Sequence, residues 1–395
     1  MKEWKKVKLG EVCEIKSGFS YKSDFLGKGN NILLGMGCVS YKEKFVYSGA
    51  RKYAQDCDSK YLAKPGDLVL ATRQQSDNLP ILAMPAIIPN NLEGEQIIVG
   101  TNLYRVENKS EIDNQFLFYL LKGYDYVNYI RGVKTGTTVQ MVSKRNVEEY
   151  SFSCPPKATQ DRIVEILSRY DALIENYQKQ IKLLEEAAAR LYKQWFVELK
   201  FPGYQNTTII DGVPEGWEKK KIGEVVVYFD KQRKPLSSMQ RANMDKIYPY
   251  YGAASLMDYV DNYLFDGIYL LLGEDGTVIT PDNKPVLQYV WGKFWVNNHA
   301  HVLRGADNIS TEFLYMMFKD MPISDVVTGA AQPKISQGRL SEKQILTPTL
   351  DLIKKWSDLT KPYFDELRLL TTQIRHLTES RDRLLPKLMS GELEV

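Results

Sequence analysis

Residues 163–195 read IVEILSRYDALIENYQKQIKLLEEAAARLYKQW. Within them Ile163, Leu167, Tyr170, Ile174, Tyr177, Ile181, Leu184, Ala188, Leu191 and Trp195 are separated by alternating steps of four and three. That spacing lines side chains along one stripe of an α-helix and, when sustained, makes a seam for a second helix. Adding 193 to each number lands on Trp356, Thr360, Tyr363, Leu367, Leu370, Ile374, Leu377, Arg381, Leu384 and Leu388, apolar except at Thr360 and Arg381. At the same displacement Gln180-Ile-Lys-Leu-Leu-Glu is answered by Gln373-Ile-Arg-His-Leu-Thr. Two long amphipathic helices follow, each of roughly forty residues and about 60 Å if continuous. Pro362 and Pro386 fall inside the second pattern. They are expected to kink it or end its regular part, since proline removes a backbone donor and crowds the preceding turn.

The repetition extends outward from the helices. Trp4-Lys-Lys-Val-Lys-Leu-Gly-Glu-Val12 returns as Trp217-Glu-Lys-Lys-Lys-Ile-Gly-Glu-Val225, an offset of 217 − 4 = 213. Gly136-Thr-Thr-Val-Gln-Met-Val-Ser143 has a looser partner in Gly329-Ala-Ala-Gln-Pro-Lys-Ile-Ser336, an offset of 329 − 136 = 193. The first globular segment is therefore longer by 213 − 193 = 20 residues. Short apolar runs such as Asp67-Leu-Val-Leu, Gln96-Ile-Ile-Val and Tyr269-Leu-Leu-Leu lie between glycine, proline and asparagine turns and read as strands. Asn114 to Leu121 and Thr311 to Phe318 read as short helices. The fold class is α+β. Two mixed α/β domains, residues 1–156 and 217–349, alternate with helical spacers at 157–200 and 350–395, with a linker at 201–216. Two apolar seams satisfy each other by packing as an antiparallel coiled coil, which implies pseudo-two-fold symmetry.

With 395 residues and 44% hydrophobic content the chain can fill more than one core. A formal charge of +3 permits a polyanionic partner only where charge gathers on one face. Cys13, Cys38, Cys57 and Cys154 form no C-x-x-C pair, so reduced thiols are expected. The N-terminus lacks the apolar core of a signal peptide and no run is long enough to span a bilayer, giving an expectation of a cytoplasmic protein with no membrane partner. Catalytic signatures are broken. Leu34-Gly-Met-Gly37 is followed by Cys38-Val-Ser-Tyr, which opens no Rossmann helix. Ser153-Cys-Pro-Pro-Lys157 lacks the aromatic residue that stacks on an extruded base. No phosphate-binding G-x-x-x-x-G-K-[ST] loop is present.

Trp195-Phe-Val-Glu…Phe201-Pro-Gly, Pro214-Glu-Gly-Trp217 and Leu384-Leu-Pro-Lys-Leu-Met-Ser-Gly-Glu-Leu393 resemble the specificity (S) subunit of type I restriction-modification systems over essentially the whole chain. The resemblance implies two target recognition domains, each reading one half of a bipartite double-stranded DNA sequence, and helical spacers that set the interval. It implies two methyltransferase (M) subunits and restriction/motor (R) subunits as partners. It also implies a non-catalytic chain holding no cofactor, with S-adenosylmethionine, ATP and Mg carried by those partners. Lys64-Pro-Gly-Asp67, Tyr248-Pro-Tyr-Tyr-Gly252, Leu272-Gly-Glu-Asp-Gly276 and Trp295-Val-Asn-Asn-His-Ala-His301 resemble stretches of such domains. Pro155-Pro156 with Gln160 opens the first helix in the family manner, whereas Pro348-Thr-Leu-Asp lacks the glutamine.

Candidate DNA contacts follow from side-chain chemistry. Arg73, Gln74 and Gln75 suit guanine and adenine edges, and Asn297 and Asn298 suit adenine; the alternative is ordinary loop and turn residues. Lys16, Ser17, Lys22, Lys134, Thr137, Gln332 and Lys334 join glycine turns to groups that suit phosphate oxygens. Tyr250, Tyr251, Glu274 and Asp275 enter through the resemblance. His299 and His301 stand two apart with no third ligand near in sequence, so hydrogen bonding is preferred to a metal, and no metal site is expected. Two rivals remain: a chain with its own fused or degenerate methyltransferase or nuclease site, and a coiled-coil scaffold with no DNA role.

Overall fold

The heptad stretches form helices Lys157–Tyr192 and Leu350–Ser390, of 36 and 41 residues, in a computed structural model that describes residues 4–75, 80–329 and 332–395. At 1.5 Å per residue they run about 54 and 62 Å. The first helix begins as expected: Pro156 carbonyl accepts from the Thr159 and Gln160 amides, and the buried Gln160 carboxamide donates to Pro155 carbonyl at 2.9 Å. The second begins without that glutamine. Thr349 takes the role, its hydroxyl accepting from the Leu352 amide at 3.4 Å. The regular part of the helix does not end at Pro362 or Pro386, and the helix runs through both. Both prolines are exposed, as are Asp358 and Asp382, whose carbonyls lose their partners, so water can satisfy those groups while the opposite face stays packed.

Seam positions Ile163, Leu167, Ile174, Trp195, Trp356, Leu367, Leu370 and Leu388 are buried. Tyr170, Tyr177, Ile181, Leu184, Leu191, Tyr363, Ile374, Leu377 and Leu384 are only half-buried. Two interior seats pass to sequence neighbours, Tyr192 beside Leu191 and Phe364 beside Tyr363. A π-helical turn over Lys193–Val197 ends the first helix and buries Trp195 and Phe196 together.

The chain divides into two compact units, Met1–Glu175 with Arg375–Val395, and Asn176–Ile374. Each unit therefore takes the first part of one long helix and the last part of the other, and within each the two run antiparallel. Unit 1 holds two four-stranded sheets. One has the order Cys13–Ser17, Leu103–Asn108, Leu68–Ala71, Pro85–Ile87; the other has Ala50–Tyr53, Leu26–Leu34, Ile97–Val99, Leu62–Ala63. Leu68–Ala71 is buried along its whole length, as a central strand covered on both faces must be. Unit 2 holds one six-stranded sheet ordered Val226–Tyr228, Ala300–Gly305, Phe265–Gly273, Leu287–Val296, Tyr248–Tyr251, Leu256–Val260. The expected short helices are Asn114–Lys122 and Thr311–Asp320. The 201–216 segment carries a small hairpin, Ile209–Ile210 against Val213–Pro214.

The repeated tryptophan motif closes each unit. Lys5–Lys8 pairs with Ser151–Cys154, and Glu218–Lys221 pairs with Gln344–Thr347. One-turn helices Leu9–Val12 and Ile222–Val225 follow, with Leu9 amide donating to Tyr150 carbonyl at 2.8 Å and Ile222 amide to Lys343 carbonyl at 2.9 Å. The glycine recurs because a neighbouring helix lies against it. A Cβ on Gly10 would meet Glu148 at 3.0 Å, and one on Gly223 would meet Ser341 at 3.0 Å. The sequence offsets are thus spatial correspondences: 223 − 10 = 213 and 341 − 148 = 193.

Candidate nucleic-acid interface

The second repeated motif builds a hairpin in each unit. Gly136 and Gly329 adopt φ of 88° and 83°, and a side chain at either would strike the carbonyl of Val139 or Gln332 at 2.2 or 2.4 Å, so glycine is required. Ala330 and Ala331 of the motif lie outside the described residues. Ser143 and Ser336 end each hairpin by capping the next helix, accepting from the Asn146 and Arg339 amides. In unit 1 the hairpin's return strand pairs with Arg73–Gln74; in unit 2 a bridge joins Asp275 to Lys334.

Backbone hydrogen bonds make these corners equivalent. Val142 amide donates to Thr72 carbonyl and Ile335 amide to Glu274 carbonyl; Thr72 amide donates to Asn102 carbonyl and Glu274 amide to His299 carbonyl. Hence Arg73 corresponds to Asp275, Asn102 to His299 and Tyr104 to His301. Tyr104 hydroxyl donates to Val142 carbonyl at 2.9 Å, and His301 Nε2 contacts the equivalent Ile335 carbonyl at 2.8 Å. Different side chains fasten the same corner. Burial pushes the Tyr104 phenol up in pKa, opposed by the Arg73 charge.

Several sequence candidates converge at these corners. Arg73, Gln75, Lys134 and Thr137 stand together in unit 1, with Gln75 and Thr137 exposed. Asp275, Asn298, His299, Gln332 and Lys334 stand together in unit 2, with Asn298, His299, Gln332 and Lys334 exposed. Others serve the fold. Gln74 is buried, and its carboxamide oxygen accepts from the Ile81 and Leu82 amides while its nitrogen donates to Gln140 at 2.6 Å. Asn297 is buried and accepts from the His299 amide at 2.9 Å, a turn-holding role in place of adenine reading. Tyr250 is buried, its hydroxyl accepting from the Leu236 amide and its ring covered by Arg241. Tyr251 packs on Phe294, and burial raises its pKa to about 12. Lys16 is ion-paired with Glu107. Ser17 is exposed on the edge strand, opposite Tyr104, and Lys22 is exposed where its amide meets Tyr53 hydroxyl.

His301 is buried with both ring nitrogens engaged, Nδ1 on Asp230 at 2.6 Å. Acidic neighbours absent from the local sequence do reach it: Asp230, Glu274 and His301 each bring a ligand atom within 4.8 Å of the others. Arg233 supplies the positive charge among them, 2.7 Å from Glu274 and 3.6 Å from Asp230, and Lys334 adds a contact to Glu274 at 3.5 Å. Glu274 is thereby a structural group of this network, which holds the corner against the strand behind it. Sequence reasoning missed Asp230 and Arg233. The available signal was the 213 offset, which sets Asp230 at the place of Ser17.

Residues 1–186 and 214–379 each match a profile described as type I restriction modification DNA specificity domain. The chain belongs to that family. It carries the domain twice, in agreement with the doubled corner. A type I restriction enzyme MjaIX specificity subunit of Methanocaldococcus jannaschii is 23% identical over 100% of this chain and 94% of its own length. A HindI specificity subunit of Haemophilus influenzae is 22% identical over 100% of both chains. Among solved structures, a type I restriction-modification S subunit from M. genitalium has the same fold, with a TM-score of 0.54 and 16% identity over 98% of this chain and 96% of that one. Among the described residues no helix of this specificity chain is long and apolar enough to cross a membrane.

Proposed function

We propose that this type I specificity subunit reads a bipartite duplex, one part with each corner, and that helix length sets the base pairs skipped between them. The observation that carries the reading is the doubled corner: one hydrogen-bonded scaffold, built twice, presenting Arg73 in one unit and Asp275 with His299 in the other. Equal scaffolds with unlike side chains suit two unlike half-sites, as two heads on a dimeric reader suit two like ones. The chain contributes recognition and scaffolding without a catalytic group. Two methyltransferase subunits and the restriction/motor subunits bring S-adenosylmethionine, ATP and Mg, in a cytoplasmic complex.

Mapping methylated adenines in DNA from cells that carry the chain with its cognate methyltransferase tests this. A motif of two short specific parts around a fixed non-specific interval is expected; a continuous motif or none refutes it. Removing one heptad from each long helix should change the interval and leave both parts alike. Stoichiometric S-adenosylmethionine binding by the isolated chain would favour a fused enzyme instead. A scaffold without DNA function would retard no duplex selectively, even with the methyltransferase present.

A further inference from the structure

Arg73 and Asp275 occupy one place on the repeated scaffold and carry opposite charge. The surroundings of Arg73 make it the less settled of the two. Its Nε is buried without a hydrogen-bond partner, and among the described residues no hydrogen bond or ion pair engages its guanidinium. Other buried or half-buried arginines of the molecule are paired: Arg233 with Glu274, Arg241 with Asp258, Arg368 with Glu312, Arg381 with Asp171. Burial leaves one donor, Nε, unmet, and the two terminal nitrogens have no acceptor among the described residues, so a ligand that brings a pair of acceptors can engage them. Of the four bases, guanine alone presents two acceptors, O6 and N7, side by side in the major groove, matched to the guanidinium fork.

Asp275 presents the reverse chemistry. Its carboxylate is acceptor-only, held by His299 Nδ1 at 2.5 Å, with His299 about half exposed (48%). A carboxylate there accepts a hydrogen bond from an exocyclic amino group, and cytosine N4 is the usual donor to such an acceptor. We infer that Arg73 reads a guanine in the half-site of the first unit, and that Asp275, positioned by His299, reads a cytosine amino group in the other. The assignment rests on the two-head reading above and adds to it the base each corner selects.

The test uses the full chain with its methyltransferase subunits and a duplex carrying the mapped wild-type motif. If that motif is continuous or absent, the two-head reading fails before any substitution is made. With a bipartite motif in hand, each guanine is replaced singly by 7-deazaguanine, which lacks the N7 acceptor. One position in one half-site should weaken wild-type binding roughly five- to hundredfold. Arg73→Ala should bind native and modified duplexes alike at that position and keep its discrimination in the other half-site. Asp275→Asn should leave that guanine alone and relax selection at a cytosine in the opposite half. The assignment is overturned if no guanine responds in the wild type, if Arg73→Ala keeps the full wild-type response, or if it weakens all sequences uniformly as a phosphate contact would. Should Arg73→Ala not fold, the wild-type scan together with Arg73→Lys, which keeps charge but lacks the fork, decides the matter through loss or retention of the N7 response.

Discussion

A carboxylate occupies the helix seam in unit 1 where a phenyl ring occupies it in unit 2. Asp171 is buried and accepts from Tyr119 hydroxyl at 2.5 Å and from Arg381 at 2.7 Å, with Lys44 at 3.2 Å. The corresponding residues are Phe364 for Asp171 (171 + 193) and Ala188 for Arg381 (381 − 193). Both are fully buried in unit 2, in a core with Tyr192, Phe196, Phe313 and Trp356, whose rings lie 5.1 to 6.3 Å apart. One backbone geometry thus tolerates two kinds of filling. An apolar seam works by excluded water and close packing; a charged one works only when every desolvated charge is matched. Arg381, an exception to the heptad pattern, is explained by Asp171. Thr360, the other, donates its hydroxyl to Trp356 carbonyl at 2.9 Å and so buries no unmet group.

The largest break in this comparison is expected from Trp356→Ala. Removing a fully buried indole leaves a cavity and should cost unit 2 about 4 kcal/mol. Urea unfolding followed by amide exchange in Thr311–Asp320 should show the loss, while amides of Leu68–Ala71 keep their protection. Equal loss in both units would mean that their cores are not separate.

Asp171→Ala comes next, at about 3 kcal/mol, because it removes the buried anion that Arg381 and Lys44 share and leaves Arg381 only the exposed Asp382. The double substitution Asp171→Phe with Arg381→Ala copies the unit 2 seam and should recover most of that loss. If the double variant is less stable than either single one, the two seams are not interchangeable. Acid sharpens the contrast. Burial alone would raise the Asp171 carboxyl, but Lys44, Tyr119 and Arg381 outweigh it and hold its pKa below the usual aspartate value. A depressed folded pKa contributes stability that is complete above the unfolded value of about 3.9 and is lost as pH falls through the folded one. Unit 1 should therefore lose stability below about pH 4 more steeply in the wild type than in the double variant.

Legibility in the sequence followed periodicity. Ile163, Leu167, Trp356 and Leu388 repeat on a fixed spacing and were readable, as was the tryptophan and glycine repeat, because close contact at Gly10 and Gly223 imposes the same residue twice. The prolines misled, since their cost depends on whether the freed carbonyl meets water, and that depends on which face is packed. Gln74, Asn297 and Tyr250 carry groups suited to base edges yet spend them on neighbouring backbone. Side-chain type alone does not separate these uses. Nor could local spacing show His301 beside Asp230, 71 residues away.

The smallest expected effect tests the repeat itself. Gly10→Ala and Gly223→Ala each add a methyl against a neighbour at 3.0 Å, the Glu148 Cβ in one unit and the Ser341 Cβ in the other. Alanine favours the short helix by roughly 0.5–1 kcal/mol over glycine, and the tight contact opposes it by a similar amount. Each variant should change stability by less than about 1 kcal/mol, and the two values should agree within about 0.5 kcal/mol, the scatter usual for independent sites. Thermal unfolding of both variants measures this. Agreement in size and sign would mean that the two closures respond as one physical unit used twice. A clear difference would place the divergence of the halves deeper than the corners and the seam, in the frame that carries them.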